Sequence, residues 1–535
     1  MAHQSSASHR PLSRRRMLTL AGGATAASLM RPANIAARQT PDATPAAATS
    51  TVADFPLPST LAADASPEFR AVADALVEAM RRNLVPGTAL GILFGDREEH
   101  ATFGVASLNS LNPVTADTLF QIGSLTKTFT STAIWRLIDE GALALDEPVR
   151  TYIPDLTLMD ESVAAQVAIS NLLDHSAGWY GDEGFDTGEN DDAVARYVAE
   201  RLPVLPQQFP LGAFFSYNNA CFTLLGRLLE VATGTTYNAA LENLLLGPLG
   251  LVDSLLDRDA IRQRPYVDGH FAMPINGRVA LTVATPLWIP RSVDPAGGIC
   301  SNTRDIIRYA RFHLAAGNAV PGSANIVSPE SLLQMQEPVL DAPGLAISMG
   351  RDWFVQEIEG IRLFQHNGDT LGQHTEFLAA PDLGFAFVLL TNSTGGTLTA
   401  MEVLDAALAA YPGLGAISGK AGLTHTFLAP PDAPKADLSP DELAEYAGTY
   451  ADPGTVFTVE NKDGSLQIGA ESIEQPGTWQ PAISPAPSPP TTLSFLSKDE
   501  GVLNGISRVP FVRNSDGKIG WIGSGGRLIP RSSDS

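Results

Sequence analysis

The sequence predicts a mixed helix-and-strand fold of the α+β class, followed by a separate all-β segment. Three features of its hydrophobic pattern carry that expectation. Strand-like runs at Thr88–Phe94 and His100–Leu108 return much later as Ile361–His366, His374–Ala380 and Gly384–Leu390. Between them, residues 150 to about 290 read as mainly helical, with long Pro- and Gly-punctuated connections. Strands, then helices, then strands again is not the regular alternation of a βαβ protein. Beyond Asp441, short alternating runs recur with turns at Lys462-Asp-Gly and Ser515-Asp-Gly, the spacing of a small barrel or sandwich.

In chain order, Ser13-Arg14-Arg15-Arg16-Met17-Leu18 precedes a short apolar run from Leu18 to Met30 and then the small residues around Ile35-Ala36-Ala37. A charged start, an apolar run too short to span and a small-residue cleavage region make residues 1–37 an expected signal peptide. The paired arginines resemble the twin-arginine export signal, so the protein is expected in the periplasm, cell envelope or medium. No cysteine follows the apolar run, so no lipid anchor is indicated. Residues 38–65, rich in Pro, Thr, Ala and Ser without periodicity, read as a linker.

Pro67 to Leu84 follows as an amphipathic helix, with Phe69, Val72, Ala75, Leu76 and Met80 on one side. The two strand-like runs after it are joined at Gly95-Asp96-Arg97. A helix then runs from Gly123-Ser124 to about Glu140, carrying Phe129, Ala133, Leu137 and Ile138 at helical spacing. Val167 to Gly178 gives a short helix and a turn, in which His175 reads as a hydrogen-bonded residue that fixes the turn. Ala220–Ala232 and Asn302–Ala316 are further helices, the second capped by Asn302 or Thr303 with Asp305 in its first turn. Residues 66–411 thus form one body with a helical insert at about 150–290, residues 412–439 a Gly-, Ala- and Pro-rich linker, and residues 440–535 the β-barrel.

The chemistry begins with Ser124-Leu-Thr-Lys127. Helix positions three apart share a face, so the serine hydroxyl and the lysine amine can meet. A serine is a weak nucleophile until a neighbouring base draws off its proton. Lysine can be that base where a pocket lowers its pKa, whereas arginine cannot deprotonate. Lys127 is the only lysine before Gly419; every other basic position there except histidine is arginine. The same spacing at Ser515-Asp-Gly-Lys518 falls on a hairpin turn, where serine and lysine do not stack.

Two further motifs follow. In Phe215-Ser-Tyr217-Asn218-Asn219, just before a helix, Tyr217 is a useful base only beside a positive charge such as Lys127. Asn219 has the donors and acceptor to hold Lys127 or a substrate amide. In Gln365-His366-Asn367-Gly368-Asp369, the glycine permits close approach, and an edge strand there could present a backbone N–H to an oxyanion opposite that of Ser124. By itself His366 reads as an exposed strand histidine.

The net charge of −23 argues against nucleic acid and anionic membranes as partners. No run of 18 or more apolar residues appears, so stable membrane insertion is not expected. Cys221 and Cys300 read as two buried thiols, too few for a disulfide framework or a cysteine-rich zinc site. No metal or cofactor is implied, and no oligomeric state can be read. The Gly-x-Ser-x-Gly elbow, the His-Glu-x-x-His metal motif and the phosphate-binding glycine loop are all absent.

Together, Ser124-x-x-Lys127, Tyr217-x-Asn219 and His366-x-Gly368 resemble the serine β-lactamase and penicillin-binding-protein superfamily, in the branch of class C β-lactamases, family-VIII-type esterases, D-alanyl-D-alanine carboxypeptidases and D-aminopeptidases. Leu172–Gly178, Ala296-Gly-Gly298 and Pro381–Asn392 fit as well, and the resemblance spans about residues 67–411. It implies an antiparallel sheet flanked by helices with an inserted helical domain, and an acyl-enzyme at Ser124. Lys127 and Tyr217 would share proton transfer, Asn219 would position a small-molecule or peptide substrate, and the amides of Ser124 and Asp369 would bind the oxyanion. His366 stands where β-lactamases carry lysine, which moves the expectation toward an esterase or D-amino-acid peptidase. A true β-lactamase and a non-hydrolysing receptor on the same fold are the alternatives. Asp369 puts a carboxyl beside the oxyanion site, so its side chain must turn away. The terminal barrel resembles one appended to D-aminopeptidases, where it shapes access to the site.

Overall fold

The structure, a computed structural model, describes residues 50–51, 55–182, 184–275, 278–315, 326–430, 433, 435–473 and 490–532. The expected signal peptide lies outside them. No helix among the described residues is long and apolar enough to cross a membrane.

The first body is built on an eight-stranded antiparallel sheet. Its order is Arg97–Gly104, Gly87–Phe94, Phe385–Thr391, His374–Ala380, Ile361–Asp369, Phe354–Ile358, Ser348–Met349 and Leu340–Asp341. Phe385–Thr391 and His374–Ala380 are buried along their whole length. Both of their faces are covered, which is why Phe385-Ala-Phe-Val-Leu-Leu reads as a continuous apolar run rather than an alternation. The strand expected from His100 starts earlier, at Arg97, because only two residues, Gly95 and Asp96, separate the paired Phe94 and Arg97.

Helices cover each face. On one lie Pro67–Asn83, N-capped by Ser66, and Gly396–Ala410. On the other lies the larger core around the serine helix, Thr126–Asp139, together with Asn219–Thr233 and Thr303–Leu314. Asn302 caps the last of these, accepting from the amides of Arg304 and Asp305. The insert at 150–290 is mainly short helices, but it also holds an antiparallel hairpin, His270–Ile275 with Arg278–Val283.

Two stretches expected as linkers are packed in part. Leu57, Leu61 and Ala65 lie against the core, and the Thr60 amide donates to the Thr102 carbonyl at 3.0 Å along the sheet edge. Leu414, Ile417 and Ala421 are buried in the same core, while Leu423 and Phe427 join Phe215, Met349 and Phe354 in another cluster. The Gly- and Pro-rich composition serves tight turns there, and a few leucines anchor them.

The C-terminal body is a nearly closed antiparallel barrel of eight strands in chain order, from Gly448–Asp452 to Arg527–Pro530. Its ends meet at the Tyr450–Arg531 bridge, and Tyr446, Tyr450, Phe495, Phe511 and Ile522 fill the interior.

Candidate active site

Ser124 stands on a single turn of 3-10 helix, Gly123–Leu125, that feeds the serine helix. Ser124 is partly exposed while Lys127, one turn on, is fully buried. The Lys127 ammonium donates to Ser124 Oγ at 3.1 Å and to the Ala296 carbonyl at 2.6 Å. Burial brings its pKa down to about 7, with Asp352 acting in the opposite direction. The helix spacing thus joins a hydroxyl to an amine that is neutral in a large fraction of molecules at neutral pH.

Tyr217 comes to the same place from the segment before Asn219–Thr233. Lys127 Nζ lies 4.9 Å from the centre of its ring. The residue is partly exposed, but its hydroxyl is buried and makes no hydrogen bond of ordinary geometry. Burial pushes the phenol far above its usual value, and the nearby Ser124 hydroxyl offsets only part of that. His175, at a positive φ of 58°, stacks on Tyr217 with ring centres 4.5 Å apart and accepts from the Asn218 amide at 2.9 Å. It fixes the turn.

Asn219 is held differently from expectation: its Nδ2 donates to Asp182 Oδ1 at 2.9 Å, and no hydrogen bond joins it to Lys127. His366 is not exposed either. It is 1% exposed, and burial together with the Lys127 charge lowers its pKa to about 3, so it is neutral.

The His366 strand, Ile361–Asp369, is not a sheet edge, yet it has the free flank that the sequence reading required. The neighbouring strand begins at Phe354, opposite Gln365, and leaves His366–Asp369 unpaired on that side. The Ser124 turn fills the gap. A Cβ on Gly368 would lie 1.9 Å from the Ile122 carbonyl and 2.8 Å from the Ser124 amide, and one on Gly123 would lie 2.7 Å from the Asp369 amide. Two facing glycines therefore let two amides converge on one seam beside Ser124 Oγ. The Asp369 carboxylate turns away, accepting from His374 Nδ1 at 2.8 Å.

Comparison with known proteins gives this geometry its context. The beta-lactamase family model matches residues 72–411. The chain belongs to the β-lactamase family. Penicillin-binding protein 4 of Amycolatopsis lactamdurans is 33% identical over 379 residues, covering 69% of this chain and 94% of that protein. The unguisins hydrolase ungD' of Aspergillus campestris is 25% identical, covering 79% and 73%. Among solved structures, SurE with D-Leu superposes with a TM-score of 0.66 at 25% identity, covering 87% of this chain and 99% of SurE. A class C β-lactamase shares the fold at 20% identity and a TM-score of 0.54, covering 64% and 98%.

This β-lactamase-family hydrolase also carries site residues that the sequence reading missed. The barrel's last hairpin turns at Gly525-Gly526 and reaches Tyr217, whose amide donates to the Gly526 carbonyl at 2.9 Å. The Leu528 amide donates to Ser216 Oγ at 3.0 Å. Arg527 follows the turn, its guanidinium 4.8 Å from the Tyr217 ring centre, and pairs with Asp182, whose Oδ1 accepts from Nη2 at 3.0 Å. Asp352 is fully buried at a φ of 87°, 3.9 Å from His175 Nε2, and burial raises its pKa well above the ordinary carboxyl range. No local pattern announces either residue: Arg527 lies hundreds of positions from Ser124, and Asp352 sits between strands with no motif around it.

Proposed function

We propose that the protein is an exported serine hydrolase that cleaves esters or amides, of the esterase or D-amino-acid peptidase type, through an acyl-enzyme on Ser124. The observation that carries this reading is the Lys127 amine, 3.1 Å from Ser124 Oγ with its pKa drawn down to about 7.

In the acylation step the Ser124 Oγ–H proton passes to neutral Lys127, and Oγ bonds to the substrate carbonyl carbon. The carbonyl oxygen takes the negative charge between the amides of Ser124 and Asp369, donors that need no reorganisation as the charge develops. Collapse breaks the bond to the leaving oxygen or nitrogen, which takes the proton back from the Lys127 ammonium. Tyr217, a neutral phenol beside the lysine and the serine, relays or steadies that proton, and Lys127 is the stronger candidate for the base. Water then repeats the sequence on the acyl carbon and releases the acid.

Substrate preference follows from charge. A neutral His366 has no attraction for the carboxylate of a β-lactam, so β-lactam hydrolysis is weak. Arg527, beside Tyr217, supplies a second cation at the site, and the barrel carrying it selects substrates by shape and charge. The similarity to SurE, solved with D-Leu, favours D-residue chemistry; the penicillin-binding-protein relative keeps β-lactam acylation as the second reading.

The test is a panel of p-nitrophenyl acetate, a D-amino-acid p-nitroanilide and nitrocefin, with Ser124→Ala beside the unaltered protein and acyl-enzyme mass as the readout. Turnover of the first two with a Ser124-linked mass supports the reading. Equal rates for Ser124→Ala reject it. Export is tested by fractionation with Arg14 and Arg15 replaced by lysine, which should strand the protein in the cytoplasm.

A further inference from the structure

Asp369 has two duties on opposite faces of its strand. Its amide meets the Ser124 turn, where a Cβ on Gly123 would come within 2.7 Å of it. Its carboxylate lies on the far face, 2.8 Å from Nδ1 of His374, the residue directly opposite it in register. The other ring nitrogen, Nε2, lies 3.4 Å from the Glu376 carboxylate, two residues along the same strand and on the same face. That approach is an ion-pair contact rather than a well-formed hydrogen bond. His374 and Glu376 side chains are each 1% exposed and that of Asp369 15%.

A neutral imidazole has one N–H and can serve only one of two carboxylates. Two acidic groups around one buried ring therefore favour the imidazolium, and they outweigh the burial that opposes it, raising its pKa to about 9. From the helix Gly396–Ala410, Thr397 Oγ1 approaches Nδ1 at 3.4 Å, and Thr391 donates to the His374 carbonyl. Asp369 and Glu376 are the charged groups that act on the ring.

We propose that His374 is a positioning residue for acylation: held as an imidazolium between Asp369 and Glu376, it keeps the Asp369 carboxylate turned away from the oxyanion site that the Asp369 amide serves. The proposal rests on the reading of Ser124 as nucleophile and of those amides as oxyanion donors. Without the imidazolium, a carboxylate within one side chain's reach of the developing oxyanion is free to swing toward it, and like charges at that range oppose the transition state while leaving a neutral ground state alone. The effect therefore falls on kcat and spares KM.

The experiment uses the full chain with p-nitrophenyl acetate, a neutral ester, followed by stopped flow from pH 6 to 10. His374→Gln should acylate roughly 10- to 100-fold more slowly at pH 7.5, in line with partial loss of an oxyanion site, with KM within about threefold of the unaltered protein. The unaltered protein should lose rate above about pH 9 as His374 gives up its proton. In Asp369→Asn no charge is left to misplace, so this alkaline limb should vanish. The double variant His374→Gln/Asp369→Asn should return to within about threefold of Asp369→Asn alone. A double variant as slow as His374→Gln, or an alkaline limb that persists in Asp369→Asn, overturns the proposal. Should His374→Gln fail to fold, as judged by thermal melting, the Asp369→Asn pH profile alone decides. Absence of a Ser124-linked acyl mass in the unaltered protein would instead refute the nucleophile reading, whatever His374 does.

Discussion

Gly368→Ala tests the seam on which the site depends. The added Cβ would fall 1.9 Å from the Ile122 carbonyl, where real Cβ contacts stay beyond 3.0 Å, so strand and turn must part by more than an ångström. The atoms that crowd it are backbone of Ile122 and Ser124, so no side chain can yield instead. Misplacement of reacting groups by about 1 Å costs roughly 100-fold, and loss of one oxyanion donor costs about 10²–10³. Acylation by p-nitrophenyl acetate should therefore fall by two to three orders of magnitude. Ile122 is fully buried in the larger apolar core, so some loss of stability should accompany the loss of rate. The assay pairs burst kinetics with thermal melting. A folded Gly368→Ala variant that keeps its acylation rate within tenfold would refute the idea that close approach of the two amides matters.

Other consequences can be checked with the same substrates. The acylation rate should fall below about pH 7 with a slope of one, since neutral Lys127 is the competent form, and Lys127→Arg should be inactive throughout. Stability should also rise with pH, but over the higher window between the folded and unfolded values of Lys127. Between about 7 and 10.5 the unfolded chain binds a proton that folded Lys127 lacks, so stability rises with pH across that window and the whole cost, about 5 kcal/mol, stands below it. Lys127→Met should accordingly melt higher than the unaltered protein at pH 7, with the gap closing by about pH 10.5; a lower melting temperature at pH 7 would contradict the burial argument. Replacing Arg527 and Asp182 together by Met and Asn should raise KM about tenfold for substrates with a free carboxylate and leave neutral esters nearly unchanged. Equal effects on both substrates would deny Arg527 a role in selection. Removing Arg527 alone takes the cation from a mostly buried carboxylate that keeps its bond from Asn219, so this single variant should lose stability, by less than the roughly 3–5 kcal/mol of a wholly uncompensated buried charge.

The sequence made the local parts of this site readable and hid the environmental ones. Ser124 and Lys127 could be paired because helix geometry brings residues three apart together, and the lysine stood out in a chain that otherwise uses arginine. Tyr217 and the His366 strand emerged only from their order relative to that pair. The burial of His366, which the strand pattern reads as exposed, and with it its neutral state depend on packing and on Lys127, neither of which is written locally. The direction of the Asp369 side chain is set across the ladder by His374, a pairing that a strand pattern alone does not supply. The hairpin at His270–Val283 went unread because Pro274 interrupts an alternation that is otherwise visible in Val279, Leu281 and Val283. Arg527 was the largest omission, and long-range packing between two bodies leaves no periodic trace in either.

The hairpin that carries Arg527 also gives the pocket a place in time. Ser124, Lys127 and Tyr217 leave the ribosome long before residues 525–528, yet the Tyr217 amide and the Ser216 hydroxyl find their partners only on that late turn. A nascent chain can assemble its nucleophile early and still hold an unfinished substrate pocket. Full selectivity would then arrive only with the barrel, so a shortened chain would betray itself by indiscriminate turnover rather than by silence.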